Sequence, residues 1–222
     1  MSNTGVNKHH EVREAVMGAL DKYPELIRTI PAKTVLHRVQ PSRHDDKPIN
    51  YRKESDTRYA HPLHEVGVFY LGFSPEVAVV ESFQPGQGVD DQAVPLSKLM
   101  ESSIHRYVTV RELKLVDLPL LANRTGQKLR DIVQAKGQGA EGYKATRALS
   151  EACMQFSNEI DGLVYTSAVY STAGTLDGCN VVLYEGRDPH VAPIDFQAIS
   201  ELVMTNGETA FELLESLGVV VE

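Results

Sequence analysis

Val68-Phe-Tyr-Leu-Gly-Phe-Ser-Pro-Glu-Val-Ala-Val-Val-Glu81 is the stretch that decides the fold class. From Val66 to Gly72 it is a compact apolar run of strand length, rich in β-branched and aromatic residues. Ser74-Pro-Glu76 then supplies three helix-start signals in order. A hydroxyl at the N-cap can accept a hydrogen bond from an exposed backbone N–H, and a proline at the first helical position has no N–H to leave unpaired. The acid in the first turn faces the positive end of the helix dipole. A strand therefore feeds directly into a helix, and Glu81 lies on that helix.

On the N-terminal side, residues 10 to 29 carry Val12, Val16, Leu20, Leu26 and Ile27 at helical spacing, broken at Pro24. This predicts one helix followed by a short second one. Lys33 to Gln40 reads as a strand enclosing His37 and Arg38, and the polar stretch from Pro41 to Thr57 reads as a long loop. Loops of that length are often functional.

On the C-terminal side, the residues after Phe83, including Gln84-Pro-Gly-Gln-Gly-Val-Asp-Asp91, read as an irregular connection, and Tyr107 to Val116 as a strand. Helices are expected around Leu121 to Val133 and Tyr143 to Phe156. A turn at Asp161-Gly162 precedes short strands at Leu163 to Thr166 and Cys179 to Glu185. Helices near Phe196 to Met204 and Thr209 to Leu217 close the chain. Strands and helices mix without the strict alternation of a doubly wound sheet, so the expected class is α+β, a mixed sheet with flanking helices. Residues 1–222 are read as a single domain, with a helical cover over 1–32 and C-terminal helices over 190–222.

The chain has 222 residues, 42% of them hydrophobic, enough to bury one substantial core. A formal charge of −8 argues against direct nucleic-acid binding, because phosphate attraction would have to overcome an unfavourable overall field. An acidic surface can instead receive a basic partner protein. Cys153 and Cys179 form no CxxC pair, which fits a reducing compartment. The first ten residues lack the apolar run of a signal peptide. The longest uncharged run, Gly162 to Leu176, falls short of the ~18 apolar residues of a spanning helix. A soluble, cytoplasmic protein is expected, with no membrane attachment.

Dispersed along these apolar segments are Arg38, Arg58, Tyr59, Tyr70, Glu81 and Ser167. Two guanidiniums, two phenols, a carboxylate and a hydroxyl suit a ligand such as NAD. Planar guanidiniums hold diphosphate oxygens through paired, charge-assisted bonds, which assigns Arg38 and Arg58. The cationic nicotinamide ring can stack on a phenol, which assigns Tyr59 and Tyr70. A carboxylate beside the ribose stabilises oxocarbenium charge that is larger in the transition state than in the ground state, and this is the role read for Glu81. Ordinary glycosidases need a second carboxyl to protonate the leaving oxygen. Nicotinamide departs as a neutral pyridine and needs no proton, so one carboxylate suffices. Ser167 can hydrogen-bond a ribose hydroxyl, the carboxamide or a phosphate. It has no GxSxG context and is not read as an acyl-transfer nucleophile.

Two other patterns compete. Gly137-Gln-Gly-Ala-Glu-Gly142 satisfies GxGxxG, but the preceding Leu129 to Lys136 carries charges at helical spacing where the dinucleotide fingerprint needs a buried strand. His61-Pro-Leu-His64-Glu65 offers metal-ligand chemistry without HExxH spacing, and Pro62 opposes a helix presenting both imidazoles. No metal is expected.

Taken in order, Leu-His-Arg-Val, Val-Phe-Tyr-Leu-Gly, Asp-Gly-Leu-Val-Tyr-Thr-Ser and the later Cys179-Asn-Val-Val-Leu-Tyr184 resemble the RES-domain family, named for Arg, Glu and Ser, over residues 35 to 187. The resemblance implies a bacterial toxin of a toxin–antitoxin pair with a core similar to ADP-ribosyltransferases. It implies that NAD is consumed, by hydrolysis or phosphorolysis, or that its ADP-ribose is transferred to a protein. An inert interaction subunit is the alternative of a different class. Arg38, Arg58, Tyr70, Glu81 and Ser167 match the family's pocket positions, and Tyr59 stands where another aromatic is common. Ala168 follows Ser167 where many members carry Arg. The implied partner is a cognate antitoxin with a helix-turn-helix region of the Xre type, and the sequence leaves a homo-oligomer open.

Overall fold

Val68–Gly72 is a strand and Pro75–Ser82 a helix in the structure, a computed structural model that describes residues 3–54, 56–83, 93–126, 142–170, 172, 174–187 and 189–222. The Ser74 hydroxyl accepts from the Val77 N–H at 3.2 Å, as the N-cap reading requires. Gly72 lets α2 fold back closely over the end of the strand: a Cβ there would lie 3.0 Å from the Ala78 nitrogen, so a larger residue would push the helix away by a few tenths of an ångström.

In chain order the described elements begin with α1 (Asn3–Lys22), β1 (Ile27–Ile30), β2 (Val35–Pro41), β3 (Val68–Gly72), α2 (Pro75–Ser82) and α3 (Leu96–Met100). They continue with β4 (Ser102–Thr109), β5 (Leu113–Asp117), α4 (Leu118–Thr125), α5 (Lys144–Phe156), β6 (Gly162–Thr166), β7 (Cys179–Tyr184), β8 (Val191–Ala198) and α6 (Ala210–Ser216). All eight described strands join one sheet in the order β1-β5-β6-β7-β3-β2-β4-β8. Only β5 and β6 run parallel, so the sheet is mixed and the class is α+β.

Side chains alternate across the sheet with period two. Leu163, Tyr165, Val182 and Tyr184 face a core built with α1, α4 and α5, while Val164, Val181 and Leu183 face the other side with Leu36, Phe69 and Tyr107. A third apolar cluster joins α2 and α6 around Val79, Phe83, Ile104 and Leu214. Among the described residues no helix is long and apolar enough to cross a membrane.

Several expectations are corrected. The short second helix before residue 30 is a single 3-10 turn, Pro24–Leu26, and Ile27–Ile30 joins the sheet antiparallel to β5. Tyr107 to Val116 is not one strand. β4 and β5 part at Val110–Glu112 and end up far apart in the sheet, because apolar alternation runs through the turn without marking it. The span near Phe196 to Met204 is not a helix, since Phe196 lies on the edge strand β8 and Ile199–Glu201 is one 3-10 turn. The C-terminal segment is therefore a strand, a turn and the helix α6. Residues 193–197 of β8 are all exposed, so the strand lacks the buried alternation that would reveal it. The connection after Phe83 contains α3, and β4 begins at Ser102. Residues Gln84–Asp91, the part of the expected Leu121–Val133 helix beyond Gly126, and Gly137–Glu141 lie outside the described residues.

Candidate active site

Strand β2 pairs along its whole length with β4 but touches β3 only at His37–Gly72. Beyond that point the two strands part, and a cleft of about 320 Å³ opens in the fork, in the size range of small-molecule sites. The edge of β3 turned toward β2 does not go unpaired. Val68 exchanges both backbone hydrogen bonds with Arg52, at 3.0 and 3.1 Å, and the Tyr70 carbonyl accepts from Arg38 Nη1 at 3.0 Å. A loop residue and a guanidinium thus replace the missing strand.

Arg38 enters the cleft from β2 with its guanidinium 4.7 Å from the Phe69 ring centroid. Burial, and then the neighbouring charge of Arg52, lower its pKa to about 10, which leaves it charged at neutral pH. Arg58 comes from the opposite wall, stacked 5.8 Å from the ring of Tyr143. Its segment is clamped from two sides. Thr146 and Ser150 on α5 donate to the carbonyls of Arg58 and Tyr59, each at 2.8 Å. From β3, the Tyr70 hydroxyl accepts from the Tyr59 N–H and donates to Thr57 Oγ1, both at 3.0 Å. The Nε atoms of Arg38 and Arg58 are buried with no partner among the described residues, so both guanidiniums keep hydrogen-bonding capacity that the protein does not use.

Glu81 projects from the last turn of α2 into the same cleft. Ser167 Oγ donates to Glu81 Oε1 at 2.6 Å and Asn180 Nδ2 donates to the same oxygen at 3.1 Å. Ser167 in turn accepts from the backbone N–H groups of Val169 and Tyr170, at 3.2 and 3.1 Å. The carboxylate is held by two buried donors, one on β7 and one immediately after its neighbour β6.

The structure brings Arg38, Arg58, Tyr70 and Glu81 into one cleft and sorts the other two differently. Tyr59 is fully buried, its ring 4.9 Å from that of Tyr165, and presents no face to a ligand. Ser167 is 3% exposed, does not line the cleft and commits its hydroxyl to Glu81, so here it orients the acid. Tyr70 lines the cleft with its ring, but its hydroxyl is spent on the Arg58 segment.

Arg52, Tyr143, Tyr165 and Asn180 are among the lining residues that the sequence does not single out. A signal existed only for Tyr165 and Asn180, which sit inside the quoted strand motifs. Arg52 brings the guanidiniums in the lining to three, against the carboxylates Glu81 and Asp56, and Asp56 is already paired with Arg147 at 2.8 Å. In a chain of net charge −8, the cleft is locally cationic. His37 also lines it, but burial and then the charge of Arg106 lower its pKa to about 4, so the imidazole is neutral at physiological pH.

The two imidazoles considered for a metal are separated. His61 is buried, its Nδ1 accepting from the N–H groups of Leu63 and Glu65, whereas His64 is exposed and turned to the Lys53 carbonyl at 2.8 Å. Among the described residues no group of three or more His, Cys, Asp or Glu is placed to hold a metal ion.

The family model of the RES domain matches residues 35–205, most of the chain and further toward the C-terminus than the short motifs reach. No curated protein matches the sequence.

Proposed function

The chain belongs to the RES domain family, and on that premise we propose that it is a toxin-like enzyme that binds NAD in the fork cleft and breaks the nicotinamide–ribose bond. The observation that carries this reading is one carboxylate, fixed by Ser167 and Asn180, facing the same cleft as three guanidiniums. Arg38 and Arg58 grip the diphosphate, and Arg52 adds charge at the exposed side. Glu81 sits beside the anomeric carbon. When the C–N bond breaks, its electron pair stays on the ring nitrogen and positive charge spreads over the anomeric carbon and ribose oxygen. Glu81 opposes that charge, and because Ser167 and Asn180 already orient it, no reorganisation is needed as the charge appears.

Incubation of purified protein with NAD should release free nicotinamide. Free ADP-ribose as the second product identifies water as acceptor, ADP-ribose phosphate identifies inorganic phosphate, and label on protein identifies transfer. A rate no higher than that of heat-inactivated protein contradicts the reading and favours an inert interaction subunit. Arg58→Ala should act mainly on binding. Loss of one charge-assisted contact, roughly 1.5–3 kcal/mol, corresponds to a KM raised about 10-fold or more with a smaller change in kcat. The opposite split would remove Arg58 from the diphosphate.

The partner that accompanies this reading is an antitoxin of the helix-turn-helix Xre type. A basic protein suits the acidic surface, and co-purification of the two as one complex tests it.

A further inference from the structure

Tyr165 is a phenol of the cleft, beside the carboxylate, whose hydroxyl has no partner among the described residues. It lies on β6 directly opposite Asn180 on β7, and two residues before Ser167, which follows the end of the strand. Asn180 and Ser167 are the two donors that hold Glu81, so Tyr165 stands next to the carboxylate by strand register alone. The residue is 7% exposed and lines the cleft, and its hydroxyl makes no hydrogen bond among the described residues. The Tyr70 hydroxyl, by contrast, is engaged on both sides. A phenol that is more than nine-tenths enclosed usually has a partner, and here the cleft is the place left for one.

We propose that Tyr165 is a further catalytic residue, whose hydroxyl donates a hydrogen bond to the carboxamide oxygen of the departing nicotinamide. This rests on the NAD-cleaving reading above. In the bound pyridinium the ring withdraws electrons from the carboxamide, making its oxygen a poor acceptor. As the C–N bond breaks, the electron pair returns to the ring and the oxygen becomes a better one. The bond from Tyr165 therefore strengthens toward the transition state, which is the condition for raising turnover and not only binding. No proton changes hands. Burial, reinforced by the negative charge of Glu81, holds the phenol well above its ordinary pKa, so it remains a donor throughout and cannot serve as a general base. Packing of its ring on Tyr59 fixes the direction of the hydroxyl.

Tyr165→Phe keeps that ring contact and removes only a hydroxyl that bonds nothing among the described residues, so the variant should fold like the parent. The test measures nicotinamide release from NAD, and pyridine release from the analogue dinucleotide carrying unsubstituted pyridine, for parent and variant. With NAD, kcat should fall about 10-fold with KM little changed, in line with one hydrogen bond made in the transition state. With the pyridine analogue, parent and variant should turn over alike, and inhibition by added nicotinamide should weaken in the variant. A penalty of equal size on both dinucleotides would place Tyr165 on the ribose or give it a purely structural part, overturning the assignment. No penalty on either overturns it too. If the parent itself releases no nicotinamide, the NAD-cleaving reading fails and this assignment fails with it.

Discussion

Glu81→Gln is expected to lower the rate of nicotinamide release from NAD by about 10²–10³ while changing KM by no more than about threefold. The size follows from what the carboxylate does. Positive charge at the anomeric carbon is small in bound NAD and large when the C–N bond is nearly broken, so Glu81 favours the second state over the first. Glutamine keeps the length and shape of the side chain and can still accept at its amide oxygen the bonds that Ser167 and Asn180 now make to Oε1. The variant should therefore fold and bind NAD, and lose mainly the charge. Steady-state kinetics with equal amounts of folded protein, checked by thermal melting, decide the matter. Turnover within about threefold of the parent would remove Glu81 from the chemistry.

The second large effect is on the fold. Gly162 begins β6, and a Cβ there would lie 1.8 Å from the Val182 carbonyl oxygen and 2.9 Å from its carbon. Both are backbone atoms of the neighbouring strand β7 in the middle of the sheet, so no side-chain rotation relieves the clash. Gly162→Ala should cost at least about 3 kcal/mol, at the upper end of ordinary overpacking. For a chain of this size that is a fall in Tm of roughly 6–12 °C. Because β6 carries Tyr165 and leads directly into Ser167, and β7 carries Asn180, any separation that admits the methyl group also disturbs the support of Glu81. Gly18→Ala is the natural control. Nothing lies within 4 Å of that position in α1, and removing a helical glycine should be neutral or stabilise by up to about 1 kcal/mol. Equal melting temperatures for Gly162→Ala and the parent would show that the sheet yields where its geometry says it cannot.

The parts of the site legible in the sequence are those with a local cause. Ser74-Pro-Glu76 fixes the start of α2, and with it the placement of Glu81 one helix length away, because N-cap and proline effects act over a few residues. An arginine inside an apolar strand is conspicuous wherever the fold goes, and Arg38 is therefore visible. Residues whose role depends on partners distant in the chain could not be read. Asn180 matters because strand register sets it opposite Tyr165 and beside Glu81, which is 99 residues away in sequence. Arg52 matters because an isolated bridge ties a polar loop to Val68. Tyr59 and Tyr165 illustrate the same limit. Tyr59 stands beside Arg58 and Tyr165 lies in a quoted strand motif, and only their burial and packing show that the first supports the site and the second faces the cleft. The break between β4 and β5 and the exposed edge strand β8 were hidden for a related reason, since hydrophobic period reports burial and not chain direction.

The central claim is that one cleft grips the diphosphate and presents Glu81 to the anomeric carbon. Its most direct test is the structure of the Glu81→Gln protein in complex with NAD, a variant expected to bind the dinucleotide without consuming it. The account predicts the diphosphate between Arg38 and Arg58, with the side chain of residue 81 against the ribose carbon that carries nicotinamide. NAD bound outside the fork of β2 and β3, or lying in it with the nicotinamide ribose turned away from residue 81, would contradict it.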